Sequence, residues 1–307
     1  MSRTAILFPG QGAQVVGMGR RLMESSPESV RDEVVKMYAT ASEILGYDLA
    51  QVCLEGPSDQ LNSTAVSQPA IFVTSLAAAK VLAQETSEAV ENCAFTAGLS
   101  LGEYTALAFA GAIDFAAGVR LVKCRGEAMQ AAADAVPSGM VSVLGLDRAS
   151  VESLLGACRE GETLEIANLL CPGNIVVSGT KAACLRMTKA AQEAGAMGVI
   201  PLTVAGAFHT RIMEPATSQL AGIVDATEFR TSRIPVVSNV DARPHTEPEE
   251  FRALLKRQIV SPVLWEDSIR RLQGEECEVF YEAGPGRILQ GLLKRIDRRA
   301  KCSGVDV

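Results

Sequence analysis

Between residues 93 and 112 the chain reads CAFTAGLSLGEYTALAFAGA, and this stretch constrains the fold more than any other. A short apolar run ends in Gly98-Leu99-Ser100-Leu101-Gly102 and continues into a segment that is apolar almost all round. Apolar runs of these lengths read as a buried strand followed by a buried helix, with a sharp turn between them. A strand–turn–helix around Gly-x-Ser-x-Gly holds a serine hydroxyl above the end of a sheet, as nucleophilic acyl chemistry requires. Gly98 and Gly102 are expected to permit the tight turn. The plain alternative is a structural turn that happens to expose a serine.

A serine hydroxyl is protonated at neutral pH and attacks nothing without a positioned base. Leu99 precedes Ser100, and the chain holds only two histidines, His209 and His245. His245 lies in DARPHTEPEE, whose prolines and charges read as an exposed loop, so its expected role is a solvated side chain. His209 lies in VAGAFHTRIMEP, where two parts of the chain are expected to meet, and clefts favour such junctions. His209 is therefore the candidate base for Ser100.

The rest of the pattern supports an α/β chain. TAILF reads as a buried strand entering the glycine-rich loop PGQGAQVVGMG, and IPVVSNV and CEVFYEAG are further strand-like runs separated by helical stretches. That alternation predicts a parallel sheet. The middle of the chain differs, reading strand–helix–strand–strand–helix–strand from MVSVLGL to MGVIPLTV. This βαββαβ order predicts an inserted ferredoxin-like subdomain of roughly 60–70 residues. The expected division is 1–136 with 205–307 for the large domain and 137–204 for the insert. A length of 307 residues suits one large domain carrying such an insert.

Two further elements have chemical readings. The glycines of FPGQGAQ do not fit Gly-x-Gly-x-x-Gly, and no Gly-Lys-Ser/Thr follows, so a phosphate loop is a poor match. The loop is either a structural turn or a donor of the Gln11 backbone N–H, which with that of Leu101 would form an oxyanion hole. Arg125, in LVKCRGEAMQ, is most simply part of a solvated helix face with Lys123 and Glu127. A guanidinium there acquires meaning if the substrate carries a carboxylate, which it can grip with two parallel hydrogen bonds.

Bulk composition removes other classes. A net charge of −7 opposes general nucleic-acid binding. The eight cysteines are scattered without a Cys-x-x-Cys pair, so free thiols in a reducing cytoplasm are expected, and no metal site. The N-terminal apolar run is too short for a signal peptide. The most apolar stretch, Tyr104 to Val119, is broken by Gly111, Asp114 and Gly118 and is not expected to span a membrane.

In order along the chain, FPGQGAQ, GLSLGEYTAL, RGEAMQ, AFH, RQIVSPVLW and EAGPGRILQGLLKR resemble the malonyl-CoA:acyl carrier protein transacylase family, the acyltransferases of fatty-acid and polyketide synthesis. The resemblance spans essentially the full chain. It implies an α/β-hydrolase-like large domain with a ferredoxin-like insert, and no metal or redox cofactor. It matches Ser100 to the nucleophile and His209 to the base, and Gln258 to the position whose backbone carbonyl orients that histidine. Gln11 and Leu101 match the oxyanion donors, and Arg125 the arginine that binds the malonyl carboxylate. Phe208 matches the aromatic residue of malonyl-specific members, and Gln68 and Asn168 match polar positions lining the cleft. Malonyl-CoA and acyl carrier protein are the implied partners. The chain departs from the family at Leu99, where many members have histidine, and at Leu170 and Asn174, where asparagine and glutamine are common. A serine thioesterase on the same elbow, or a silent carrier-protein-binding module, are the other functions such a chain allows. LLKRIDRRAK supplies Lys294, Arg295, Arg298, Arg299 and Lys301, which are either a docking patch for an acidic carrier or a solvated helix face.

Overall fold

The computed structural model describes residues 3–307. The strands are β1 Arg3–Phe8, β2 Cys93–Gly98, β3 Ser138–Leu144, β4 Leu164–Cys171, β5 Asn174–Thr180, β6 Gly198–Pro201, β7 Val236–Val237, β8 Pro244–His245, β9 Val263–Leu264, β10 Cys277–Glu282 and β11 Lys301–Gly304. They form two sheets. The first has the order β11-β10-β1-β2-β7-β8, parallel throughout except for the β7–β8 edge pair. β1 lies in its middle with Ala5, Ile6, Leu7 and Phe8 wholly buried, as a parallel strand covered on both faces must be.

The second sheet has the order β6-β3-β5-β4-β9. Its first four strands pair antiparallel in the ferredoxin-like arrangement, with helices Arg148–Cys158 and Lys181–Glu193 as the crossovers. Val141, Val143, Leu155, Val177 and Met187 give this sheet an apolar core of its own. β9, far along the chain, joins it in parallel: Asn168 pairs with Val263 and Leu169 with Leu264. This link was not legible in SPVLW, because a two-residue strand has too short a period to read.

Two long helices, Thr64–Glu85 and Phe115–Ala135, pack against each other beside the first sheet. The Asp114 carboxylate caps the second by accepting from the Ala117 N–H at 2.7 Å, a contact whose loss costs about 0.5–2 kcal/mol. Thr64–Glu85, rather than Tyr104–Val119, is the longest apolar segment. It is the one helix among the described residues long and apolar enough to cross a membrane, and 83% of its apolar window is buried inside the protein. Tyr104–Val119 instead spans two helices, Leu101–Phe109 and Phe115–Ala135, with a turn between them. All eight cysteines are free, and most are buried.

Candidate active site

β2 ends at Gly98 and the helix Leu101–Phe109 begins three residues later, so Leu99 and Ser100 make up the whole turn. The turn's strain lies on the serine itself, at φ 52°, and not on the flanking glycines. A left-handed conformation at a residue bearing a side chain costs on the order of 1–3 kcal/mol and persists only where its surroundings enforce it. Gly98 and Gly102 serve a different purpose. A Cβ on Gly98 would stand 1.8 Å from the Gly102 carbonyl carbon, and one on Gly102 would stand 2.1 Å from the Phe8 carbonyl oxygen. They let the strand, the turn and the helix approach at backbone distance.

Asn239 holds the turn from the other side. Its Oδ1 accepts from the Ser100 N–H at 2.7 Å and its Nδ2 donates to the Gly98 carbonyl at 2.7 Å. Sequence reasoning missed this residue. Its signal was its place just beyond β7, outside the carboxyl ends of parallel strands, where such sheets bind their ligands.

The Ser100 hydroxyl lies 2.8 Å from Nε2 of His209, which is buried and has a strained φ of 62°. Nδ1 of His209 is 3.0 Å from the Gln258 carbonyl oxygen. A carbonyl only accepts, so Nδ1 carries the proton and Nε2 is left free to take one from Ser100. Gln258 is the last residue of the helix Pro248–Gln258, and the carbonyls of a helix's final turn have no partner within the helix. That carbonyl stands where a triad would have a carboxylate. Burial, and then the positive charge of Arg125, push the His209 pKa down to about 4.

Arg125 is not on a solvated face. It is 1% exposed, and its helix turns it under the nucleophile. Nη2 donates to Ser100 Oγ at 3.0 Å and to Gln258 Oε1 at 3.1 Å, and Nη1 donates to Gln68 Oε1 at 2.9 Å. Nε has no partner. The guanidinium also lies over the Tyr104 ring, 5.2 Å from its centroid. Gln68 is thus wholly buried behind the arginine and holds it, instead of lining the open cleft.

The cleft above Ser100 has a volume of about 310 Å³ and lies between the two sheets. Gln11, Leu99, Arg125, Asn168, Phe208 and His209 line it. Leu170 and Asn174 also face it, and the Asn174 side chain accepts from Ser142 Oγ at 2.8 Å. The backbone N–H groups of Gln11 and Leu101 make no hydrogen bond among the described residues, and Gln11 lines the cleft. A larger groove of about 680 Å³, between Glu33 and Arg233, holds no nucleophile and base, so chemistry and not volume selects the site. No cluster of metal-ligating side chains occurs among the described residues.

His245 is not in an exposed loop. It sits in β8 with its side chain 13% exposed, hydrogen-bonded to Asp241 and Glu250 at 3.1 Å each, and does not line the cleft. Lys294 and Arg295 extend from the last turn of the helix Ile288–Ile296, whereas Arg298, Arg299 and Lys301 follow it; all five are exposed.

Residues 6–301 match the acyl transferase domain family. The chain belongs to that family. Over 306 residues it is 39% identical to the malonyl CoA-acyl carrier protein transacylase of Bacillus subtilis, covering 99% of this chain and 94% of that one. An acyl carrier protein S-malonyltransferase from Vibrio cholerae superposes with a TM-score of 0.92 at 38% identity, covering 99% of this chain and 97% of the other. A malonyl-transacylase solved in complex with a type II polyketide-synthase acyl-carrier protein superposes with a TM-score of 0.91 at 36% identity, covering 100% and 96%. The α/β-hydrolase-like core with a ferredoxin-like second sheet is thus the acyl transferase architecture.

Proposed function

We propose that this acyl transferase moves the malonyl group from malonyl-CoA to the phosphopantetheine thiol of acyl carrier protein, through a malonyl ester on Ser100. The observation that carries the reading is the buried guanidinium of Arg125 beside a serine–histidine pair. A cation buried at 1% exposure with unused N–H groups suits a substrate that brings its own carboxylate.

In the first half-reaction His209 Nε2 takes the Ser100 proton as Oγ bonds to the thioester carbon. The carbonyl oxygen gains the negative charge and rests on the N–H groups of Gln11 and Leu101. Collapse breaks the carbon–sulfur bond, and the coenzyme A sulfur leaves with the proton held by His209. In the second half-reaction the carrier thiol gives its proton to His209 and attacks the ester, and collapse releases Ser100, whose Oγ takes that proton back from His209. The Gln258 carbonyl, at the negative end of a helix, stabilises the imidazolium in both steps. Arg125 holds the malonyl carboxylate, Phe208 limits the space beside it, and Asn168 lines the approach, while Gln68 supports Arg125. The working division is a large domain of 1–136 and 205–307 and an insert of 137–204, with the reaction in the cleft between them. A cytoplasmic setting and docking of an acidic carrier on Lys294, Arg295, Arg298 and Arg299 complete the reading.

Incubation with malonyl-CoA followed by intact-mass measurement tests it. The expected result is a gain of one malonyl group, absent in Ser100→Ala and slowed at least about 10²–10⁴-fold in His209→Ala, the usual range for a general base. His245→Ala should load normally. Adding carrier protein should discharge the adduct onto its thiol. Discharge to water without a carrier would mark a thioesterase, and failure to load would leave only a binding module.

A further inference from the structure

Glu103 is the one charged residue of the helix that follows Ser100, and it is 3% exposed. A carboxylate is almost never buried without partners, because desolvation costs several kcal/mol. Here Oε2 accepts from the Asn239 N–H at 3.1 Å and from Gln258 Nε2 at 2.7 Å. No cation touches it among the described residues. Both partners also grip the nucleophile turn: Asn239 through the Ser100 N–H, and Gln258 Nε2 through the Ser100 carbonyl at 3.0 Å.

Gln258 is the hub of the site. Its backbone carbonyl holds His209, its Nε2 faces Glu103 and its Oε1 faces Arg125. A primary amide can turn over and exchange its donor and acceptor ends, and shape alone does not prevent this. The Glu103 carboxylate with the Ser100 carbonyl on one side and a guanidinium on the other do, since a turned amide would set donor against donor and acceptor against acceptor. Each such buried mismatch leaves a polar group unsatisfied, at a cost of about 1–3 kcal/mol.

We propose that Glu103 is a positioning residue that locks the Gln258 amide, thereby aiming the Arg125 guanidinium at the cleft and setting the preference for acyl groups that carry a carboxylate. The proposal rests on the reading of Arg125 as the malonyl-binding group. Glu103 does not touch substrate and takes no proton. It acts through Gln258, and Gln258 acts on Arg125. In the isosteric Glu103→Gln the new carbonyl oxygen can take the place of Oε2, which accepts from both Asn239 and Gln258, so this variant keeps both bonds and is the conservative control. In Glu103→Leu, of similar shape, both N–H groups lose that acceptor, and the Gln258 nitrogen is left with the Ser100 carbonyl alone, so the amide no longer holds its oxygen firmly on Arg125.

The test compares kcat/KM for malonyl-CoA and acetyl-CoA in wild type, Glu103→Gln, Glu103→Leu, Gln258→Ala and the double variant Glu103→Leu with Gln258→Ala, with Tm measured alongside. Gln258→Ala removes the amide but keeps the backbone carbonyl that holds His209. Glu103→Gln should keep the malonyl:acetyl ratio within about two-fold of wild type, whereas Glu103→Leu is expected to lower it about ten-fold, through malonyl and not acetyl. In the Gln258→Ala background the same substitution should change the ratio by less than about two-fold, the signature of one residue acting through another. Equal loss on both thioesters, with a lower Tm, would make Glu103 merely structural, and additive effects on the ratio would also overturn the proposal. Should Glu103→Leu not fold, Gln258→Ala alone decides: an unchanged ratio refutes control by the amide. If wild type fails to load malonyl at all, the proposed function falls first, whereas loading with an unmoved ratio sinks only the role of Glu103.

Discussion

Replacing Arg125 by alanine separates two contributions that the structure superimposes on one side chain. The guanidinium donates to Ser100 Oγ at 3.0 Å, which stabilises negative charge developing on that oxygen whatever the acyl group. Loss of one hydrogen bond from a charged donor costs about 1.5 kcal/mol, or roughly ten-fold, and acetyl-CoA should lose that much. Malonyl-CoA loses it as well and then brings a carboxylate into a cleft without its counter-ion. An uncompensated buried charge costs about 3–5 kcal/mol, a further factor of at least about 10². The malonyl:acetyl ratio should therefore fall about 10²-fold. Tm should fall too, because Gln68 Oε1 and Gln258 Oε1 both lose their donor. Arg125→Lys should recover little of the ratio, since an ammonium cannot reach Ser100, Gln68 and Gln258 together and still offer a fork. Single-turnover loading followed by intact mass gives kcat/KM for each thioester. A loss by one common factor would refute the carboxylate role and leave the arginine as a support for the serine alone.

The depressed pKa of His209, about 4, sets the acid limb of acylation. The base works only when unprotonated, so loading should hold its neutral-pH rate until pH approaches about 4–5, and a midpoint near the ordinary 6.5 would contradict the buried environment. Phe208, 5% exposed on the cleft wall, should exclude a branching methyl. Phe208→Ser is expected to narrow the malonyl–methylmalonyl gap by about 1–3 kcal/mol, the usual cost of overpacking, and an unchanged gap in kcat/KM would make the ring a plain core residue. If the exposed cations Arg298 and Arg299 dock an acidic carrier, transfer to carrier should slow with added salt while loading from malonyl-CoA does not. Charge reversal at both positions without effect on that transfer would remove the patch.

Some of this protein was legible before any tertiary contact was known. Periodicity over a few residues reports local structure, and it did so for β2, for the buried helix after Ser100 and for the βαββαβ order of the second sheet. The choice of His209 over His245 also followed from local composition, although the loop assigned to His245 is an edge strand paired with β7. The resemblance of ordered motifs supplied what local reading left open, including Gln258 and a binding role for Arg125. Read from its helix alone, Arg125 looked solvated, because burial is a property of what packs against a helix and not of its sequence.

Glu103 carried a signal that went unread: one carboxylate in a helix otherwise apolar almost all round must have buried partners. The sequence determines that such partners exist, because an unpaired buried charge is too costly to keep. It does not say which residues they are. Ser100 meets its base 109 positions away, Asn239 139 away and the Gln258 amide 158 away, and only the closing of both sheets brings them within hydrogen-bond reach. Strand, turn and helix are short-range consequences of side-chain shape and polarity, so the chain alone determined the turn that presents Ser100. The base's orientation, the cation beneath the serine and the amide that joins them depend on distances between remote segments, and those the tertiary structure decided.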